Sequence, residues 1–401
     1  MRIQKLLFGA CLCGLLACES TPDSGSLPIP TTVEQDSSLL ADNAYLLRNG
    51  KIAGRSKMTQ VYEPFSLDSL NTPFINNKLL SALKQNERLL HLTQGRRNYR
   101  LGNLRVNYKE LQQTVDILKS WQFTKPLGLS RYLDAYQIWG NDRFGNVRFT
   151  GYYTPVIKVS RAPDETYRYP IYSRPLDWKG PLPTRAQIES KGLLSGKGLE
   201  LAYAADKVDI YYMQLQGSGY VEYPDGSREL FSYNGTNRHP YRSIEKYLLG
   251  RKDLDVPRLS VEGIKTFLRG KPKLTDTVLF QNPSYTFFIR RRSAAPSGAG
   301  NVPLTAGYSI AVDRRYIPLG SCLLAAFPVF DNKKQRVIRH EYRILVAQDV
   351  GGAIRGPGHV DFYTGIGQAA ARQAGNLNSY GQLWLLLPKK SRPAFISSTP
   401  Q

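Results

Sequence analysis

Apolar positions between Asn77 and Trp139 recur at helical spacing. Leu79, Leu83 and Leu90 fall near one face, and Leu111, Val115 and Leu118 repeat three or four residues apart, so two amphipathic helices are predicted. A third helix is predicted over Ser130–Trp139, with Tyr132, Leu133, Tyr136 and Trp139 as its apolar positions and Ser130 as its N-cap. The period then changes. Val147 to Val159 alternates aromatic and β-branched residues, as strands do. Ser160 to about Gly180 is rich in proline and charge and reads as a domain crossing. A mixed stretch follows to about Lys273, with a short strand at Val208–Gln216 and helices at Tyr241–Leu249 and Val261–Leu268. Strands return at Tyr285–Arg290, Tyr308–Val312, Val337–Val346 and Leu383–Leu387, punctuated by Gly and Pro. The absence of a long βα alternation argues against a doubly wound parallel sheet, and the strand lengths fit a six-stranded closed barrel better.

The N-terminus adds an address. Arg2 and Lys5 precede an apolar run, Leu6–Leu16, followed by Ala17 and Cys18. This has the three-part form of a secretory signal, and the run is shorter than the roughly 20 residues a membrane-spanning helix needs. Leu15-Leu16-Ala17-Cys18 is similar to a bacterial lipobox, which predicts cleavage after Ala17 and diacylation of Cys18. Glu19 rather than Asp follows, which favours the periplasmic face of an outer membrane. Residues 1–17 are thus expected to be a signal peptide and 18–58 a flexible tether rich in Ser, Pro, Thr, Asp and Asn.

Composition narrows the partners. The formal charge is +22, and loss of Arg2 and Lys5 would lower it by only two. An anionic partner is implied: nucleic acid, a membrane surface or an acidic polymer. Export makes nucleic acid the poorest of these and peptidoglycan or anionic lipid the natural ones. The 25 tyrosines suit sugar-holding grooves, and equally the surface strands of a β-rich fold. Of four cysteines, Cys11 and Cys13 would leave with the signal and Cys18 would carry lipid. Cys322 then remains alone in an apolar run, so it is read as a buried strand residue and no intrachain disulfide is expected.

The richest chemical stretch is Asp349-Val-Gly-Gly-Ala-Ile-Arg-Gly-Pro-Gly-His-Val-Asp361-Phe-Tyr-Thr-Gly. A strand entering such a glycine-rich loop can present a carboxylate at a groove edge. A general acid needs a carboxyl raised by burial or by a neighbouring anion. Val360 and Phe362 are candidates for the apolar wall, and Asp349 for the second charge. Aspartate in glycine-rich turns is also commonly structural, and that reading stands beside the catalytic one. His359, two residues before Asp361, is read as structural. His91, His239, His340 and His359 show no metal-ligand spacing, and the dispersed aspartates lack a compact ligand loop. No Gly-x-Ser-x-Gly elbow or Walker loop is present.

A third aspartate lies in Ala311-Val-Asp313-Arg-Arg-Tyr-Ile-Pro-Leu-Gly-Ser321. Asp313, Asp349 and Asp361 in these contexts resemble the three-aspartate domain of double-psi β-barrel cell-wall enzymes. Gly151-Tyr-Tyr-Thr-Pro155, Gln214-Leu-Gln-Gly-Ser-Gly-Tyr220, Tyr241-Arg-Ser-Ile244, Gln281-Asn-Pro-Ser-Tyr285 and Gly365-Ile-Gly367 resemble the membrane-bound lytic murein transglycosylase A family, in order from about residue 60 to 388. The resemblance implies a mainly β fold with some helices. A six-stranded double-psi β-barrel would be built from residues 59–155 and 281–388, with a β-rich domain inserted at 156–280, a deep groove between them and a tail at 389–401. It implies Asp361 as the single catalytic acid/base, with Asp349 and Asp313 as supporting residues. Tyr152, Tyr153, Thr154, Gln214, Gln216, Gly217 and Ser218 are the expected glycan contacts. No cofactor and no metal are implied. Partners implied are peptidoglycan strands, the membrane through the lipid, and a cell-wall synthesis complex. The loop Arg355–His359 departs from the family pattern at Pro357-Gly358.

The implied reaction is non-hydrolytic cleavage between N-acetylmuramic acid and N-acetylglucosamine, leaving 1,6-anhydromuramoyl ends. The alternatives are a non-catalytic wall-binding lipoprotein and a glycoside hydrolase on the same fold, including an endoglucanase.

Overall fold

The structure is a computed structural model. It describes residues 76–389 apart from 94–97, 103, 121–128, 139, 142–144, 252, 255, 257–260, 292–294 and 332–335, together with strands at 26–27 and 62–65. The expected signal peptide, Cys18 and nearly all of the tether lie outside the described residues.

The first elements are β1 (Ser26–Leu27), β2 (Tyr62–Phe65), α1 (Asn77–Leu92), β3 (Tyr99–Leu101), β4 (Leu104–Val106), α2 (Tyr108–Ser120), α3 (Leu129–Tyr132), β5 (Leu133–Ile138) and β6 (Val147–Thr154). The middle of the chain holds β7 (Val156–Ser160), β8 (Tyr169–Tyr172), α4 (Arg185–Lys191), β9 (Glu200–Ala204), α5 (Lys207–Gln216), β10 (Gly219–Glu222), β11 (Arg228–Thr236), α6 (Ile244–Leu249), α7 (Val261–Arg269), α8 (Pro272–Leu279) and β12 (Thr286–Arg291). The last part holds β13 (Ser309–Ala311), β14 (Cys322–Asp331), β15 (Arg336–Asp349), β16 (His359–Ile366), α9 (Gly367–Asn376) and β17 (Asn378–Pro388).

Two large sheets result. One has nine strands in the order β1-β15-β13-β16-β6-β17-β5-β2, with β14 pairing both β15 and β17. The other has six, β12-β11-β10-β7-β9-β8. The chain passes from the first sheet to the second at Pro155, between β6 and β7.

This corrects the expected fold class. The protein is mixed α/β rather than mainly β, and the nine-stranded sheet is not a closed six-stranded double-psi barrel. Through β14 the pairings do run round six strands, but the sheet continues beyond them to β1 on one side and to β5 and β2 on the other. The cause is strand length. β17 is 11 residues long and pairs β6 at Asn378–Gly381, then β5 at Trp384–Pro388. β15 is 14 residues long and pairs β1 at His340–Glu341, then β13 from Val346 to Asp349. Strands this long outrun a small ring and recruit extra partners.

The two amphipathic helices predicted from Leu79, Leu83, Leu90, Leu111, Val115 and Leu118 form as α1 and α2, and all six leucine and valine side chains are buried in one core with the sheet. Asn76 caps α1, its side-chain oxygen accepting from the Leu79 N–H at 2.9 Å. Asn76→Ala should therefore cost about 1 kcal/mol, read as a lower denaturant midpoint with unchanged activity. Cys322 is buried on β14, as its apolar setting predicts.

Two local expectations fail. Val208–Gln216 is helix α5, not a strand. Val208, Ile210, Tyr211, Tyr212, Met213 and Gln214 are all buried, so burial on every side erased the helical period, and Asp206 caps its start. Ser130–Trp139 is not a helix. Only Leu129–Tyr132 is helical, and Leu133, Ala135 and Ile138 enter the core from strand β5.

Candidate active site

Asp361 is placed by the parallel pairing of β16 with β6. His359 stands beside Arg148, Asp361 beside Thr150, and Tyr363 beside Tyr152. Side chains alternate along a strand, so these six share one face. Phe149, Val360 and Phe362 point the other way, into the core. Val360 and Phe362 are thus not the apolar wall of the carboxylate. The groups that desolvate it lie on its own face, where the Tyr152 and Tyr363 rings pack 5.2 Å apart.

Asp361 is partly buried. Burial pushes its carboxyl up to about 7, and the charge of Asp349 adds to this, while the Thr150 hydrogen bond and the Arg148 charge act in the opposite direction. Thr150 Oγ1 donates to Asp361 Oδ1 at 2.8 Å and lies 2.9 Å from His359 Nε2. The His359 imidazole is driven down to about 3 by burial and by Arg148, so it is neutral at ordinary pH. Arg148 is in turn held by Asn378, its Nε donating to Oδ1 at 2.7 Å.

Asp349 ends β15. Its Oδ1 accepts from the N–H groups of Ala299 and Val350 at 2.7 and 2.8 Å, and its Oδ2 accepts from the Tyr152 hydroxyl at 3.0 Å. Burial raises this carboxyl above the ordinary range, against those three bonds. Ala311 of β13 pairs with both Asp349 and Asp361. The two aspartates therefore stand two strand spacings apart, about 9–10 Å along the sheet.

The other expected residues separate into three groups. Asp313 is buried beside Arg315 and accepts from the Gly356 N–H at 2.9 Å, which ties β13 to the glycine-rich loop. Burial acts to raise it, but the bonds from Arg315 and Gly356 outweigh burial and hold it below the ordinary range. Gln214 is 4% exposed and accepts from buried Arg185 at 2.6 Å, so its amide oxygen is engaged in the protein interior. Tyr153, Thr154 and Gln216 form the seam between the sheets. The Tyr153 N–H donates to Gln216 Oε1 at 2.9 Å, and Thr154 Oγ1 and the Tyr363 hydroxyl are 2.8 Å apart. Gly217 closes α5 with a φ of 78° that suits glycine, and Ser218 follows, half-buried, on the way into β10.

The fold thus brings Tyr152, Asp349 and Asp361 to one face of the sheet, and places Asp313 beside Arg315 and Gly356 and Gln214 against Arg185. Sequence reasoning missed Thr150 and Arg148 as neighbours of Asp361, and read His359, which lies against Thr150, as structural. The two-residue spacing of His359 and Asp361 on one strand was the available signal. A hollow of about 450 Å³, lined by Asn98, Tyr99, Arg100, Arg105, Val106, Asn107 and Glu110, contains none of these groups.

Comparison with known proteins fits this geometry. A family profile described as the MltA specific insert domain matches residues 148–289, and one described as the 3D domain matches residues 308–387. The chain is 36% identical over 388 residues to membrane-bound lytic murein transglycosylase A of Escherichia coli (strain K12), covering 96% of this chain and 95% of that one. A crystal structure of E. coli MltA with bound chitohexaose superposes with a TM-score of 0.71 at 34% identity, covering 85% of this chain and 98% of that one. A membrane-bound lytic murein transglycosylase from Agrobacterium tumefaciens superposes with a TM-score of 0.68 at 28% identity, covering 82% and 97%. With that identity over nearly its whole length, the chain belongs to the membrane-bound lytic murein transglycosylase A family.

Proposed function

We propose that Asp361 is the one acid/base group with which this lytic transglycosylase cuts peptidoglycan glycan strands, at the bond between N-acetylmuramic acid and N-acetylglucosamine. The observation that carries this reading is a partly buried carboxyl pushed up to about 7, on a strand face shared with two tyrosine rings. At neutral pH and below it can hold a proton. It donates that proton to the glycosidic oxygen as the bond to C1 of the muramyl sugar breaks and the electron pair leaves with the oxygen. The muramyl C6 hydroxyl then closes on C1 and returns its proton to Asp361. No water enters. Most glycosidases divide these tasks between two carboxylates. Here the substrate supplies the nucleophile, and intramolecular attack has a high effective molarity. Asp349 adds negative charge near the developing cation. Tyr152 and Tyr363 are buried and wall the carboxyl, while Tyr153, Thr154 and Gln216 shape the seam beside them. The chitohexaose bound in the E. coli relative supports a glycan as the ligand.

The membrane-bound relatives support attachment to a membrane, and the Leu15–Cys18 motif supports a lipid on Cys18. We place the enzyme on the periplasmic face of the outer membrane on those grounds. No helix among the described residues is long and apolar enough to cross a bilayer. Residues 156–280 are read as an insert between segments 59–155 and 281–388, which supply every strand of the nine-stranded sheet except β1, while β12 of the second segment joins the six-stranded sheet.

The pH dependence of kcat/KM tests the acid. Asp361 is active when protonated, so the rate should be flat on the acid side and fall about tenfold per pH unit above a midpoint close to 7. A rate that falls only on the acid side of pH 5 would place a different group in this role.

A further inference from the structure

We propose that His359 acts through Thr150 to fix which oxygen of Asp361 carries the catalytic proton. This rests on Asp361 being the acid/base.

A threonine hydroxyl has one hydrogen to give and can accept in return. Thr150 Oγ1 has Asp361 Oδ1 at 2.8 Å, His359 Nε2 at 2.9 Å and the Val360 carbonyl at 3.5 Å. Two arrangements satisfy this geometry. In the first, His359 Nε2–H donates to Thr150, and Thr150 donates to Asp361 Oδ1. Oδ1 is then permanently an acceptor, and the acidic proton sits on Oδ2. In the second, Nε2 is bare, Thr150 donates to it, and Asp361 turns its proton on Oδ1 back toward Thr150. That proton is tied to the protein and is lost to the substrate.

The first arrangement is the working one in this proposal, because only it leaves the acidic proton on Oδ2 free for the substrate while Thr150 donates to Oδ1. His359 is neutral, so its single N–H decides between them. With Nε2–H in place, Oδ2 gives its proton to the glycosidic oxygen while Oδ1 keeps its bond to Thr150. Oδ2 then takes the C6 hydroxyl proton as that oxygen bonds to C1. The same atom loses and regains the proton, and neither Thr150 nor His359 changes charge. Both are positioning residues. The other groups facing Asp361 are Arg148 on β6, Asn378 on β17 against Arg148, Asp349 from β15 with Tyr152, and Tyr363 on β16.

The prediction separates this chain from a scaffold. Thr150→Val keeps shape but removes the donor that favours the Asp361 carboxylate. A hydrogen bond to a charged group is worth about 1.5–3 kcal/mol, so the alkaline limb of the kcat profile should move up by about one to two pH units. The maximal kcat should fall at least about tenfold, with KM for glycan strands nearly unchanged. Thr150→Ser should restore both. His359→Gln, whose amide N–H can reach the Nε2 position, should stay near the wild-type limb. His359→Leu should move the limb in the same direction as Thr150→Val.

An unmoved limb in Thr150→Val, or equal limbs in His359→Gln and His359→Leu, would overturn the proposal. If Thr150→Val does not fold, the histidine pair carries the same test. Activity surviving in Asp361→Asn would instead overturn the acid/base reading beneath it.

Discussion

Asp361→Asn should leave a folded protein that binds glycan strands and does not cut them. The amide keeps the size of the carboxyl and can still accept from Thr150 through its oxygen, but it has no acidic proton to give. The loss should be about 10²–10⁴-fold in kcat, the range expected for a general acid or base. In the proposed reaction Asp361 serves in both halves, so the upper end is expected. KM and binding of glycan strands should change little. Stability supplies an internal control. The folded carboxyl binds its proton up to about pH 7, above the range in which an unfolded aspartate titrates. The folded state therefore binds more protons than the unfolded state between those values, and stability contributed by this site declines as pH rises toward 7. Asparagine removes that penalty. The variant should unfold at or above the wild-type temperature at neutral pH, so lost activity would not be lost fold.

Gly151→Ala should act in the opposite way, damaging activity through the backbone. Gly151 lies between Thr150 and Tyr152 on β6, on the face away from Asp361. Helix α9 packs there so closely that a Cβ at this position would stand 2.6 Å from Ala374 Cα and 2.9 Å from its carbonyl oxygen. Both are backbone atoms of a packed helix, and no side chain can swing aside. The helix must move or β6 must bend, at a cost of about 1–3 kcal/mol for overpacking. Either movement shifts Thr150 and Tyr152, the partners of Asp361 and Asp349. Thermal unfolding and kcat should fall together. A variant with wild-type stability would show that α9 is held less tightly than this spacing implies.

How far the chain could be read in advance depended on contrast between faces. Leu79, Leu83 and Leu90 stood out because α1 has a wet side, and α2 was legible for the same reason. Helix α5 was not, because it is buried nearly all round and its β-branched and aromatic residues look like a strand. Helix α9 is built largely of alanine, glycine and polar residues and offers little apolar signal. The barrel expectation failed on length: nothing local says that β15 and β17 will each serve more partners than a ring requires.

At the site, Asp361 was ordinary by itself and was singled out by motif order. Its carboxyl is raised by burial and held by Thr150, 211 positions away in sequence, through a parallel register between strands that are neighbours only in the fold. His359 was nearer. Its place on the same strand face as Asp361 follows from period two, once the stretch is known to be a strand.

The central claim is that one carboxyl acts twice and water takes no part. Digestion of purified peptidoglycan in water enriched in heavy oxygen tests it most directly, with the released muropeptides weighed by mass spectrometry. The enzyme should release anhydro products with no heavy oxygen at the muramyl C1. Reducing-end products carrying one heavy oxygen would contradict it and make the protein a hydrolase.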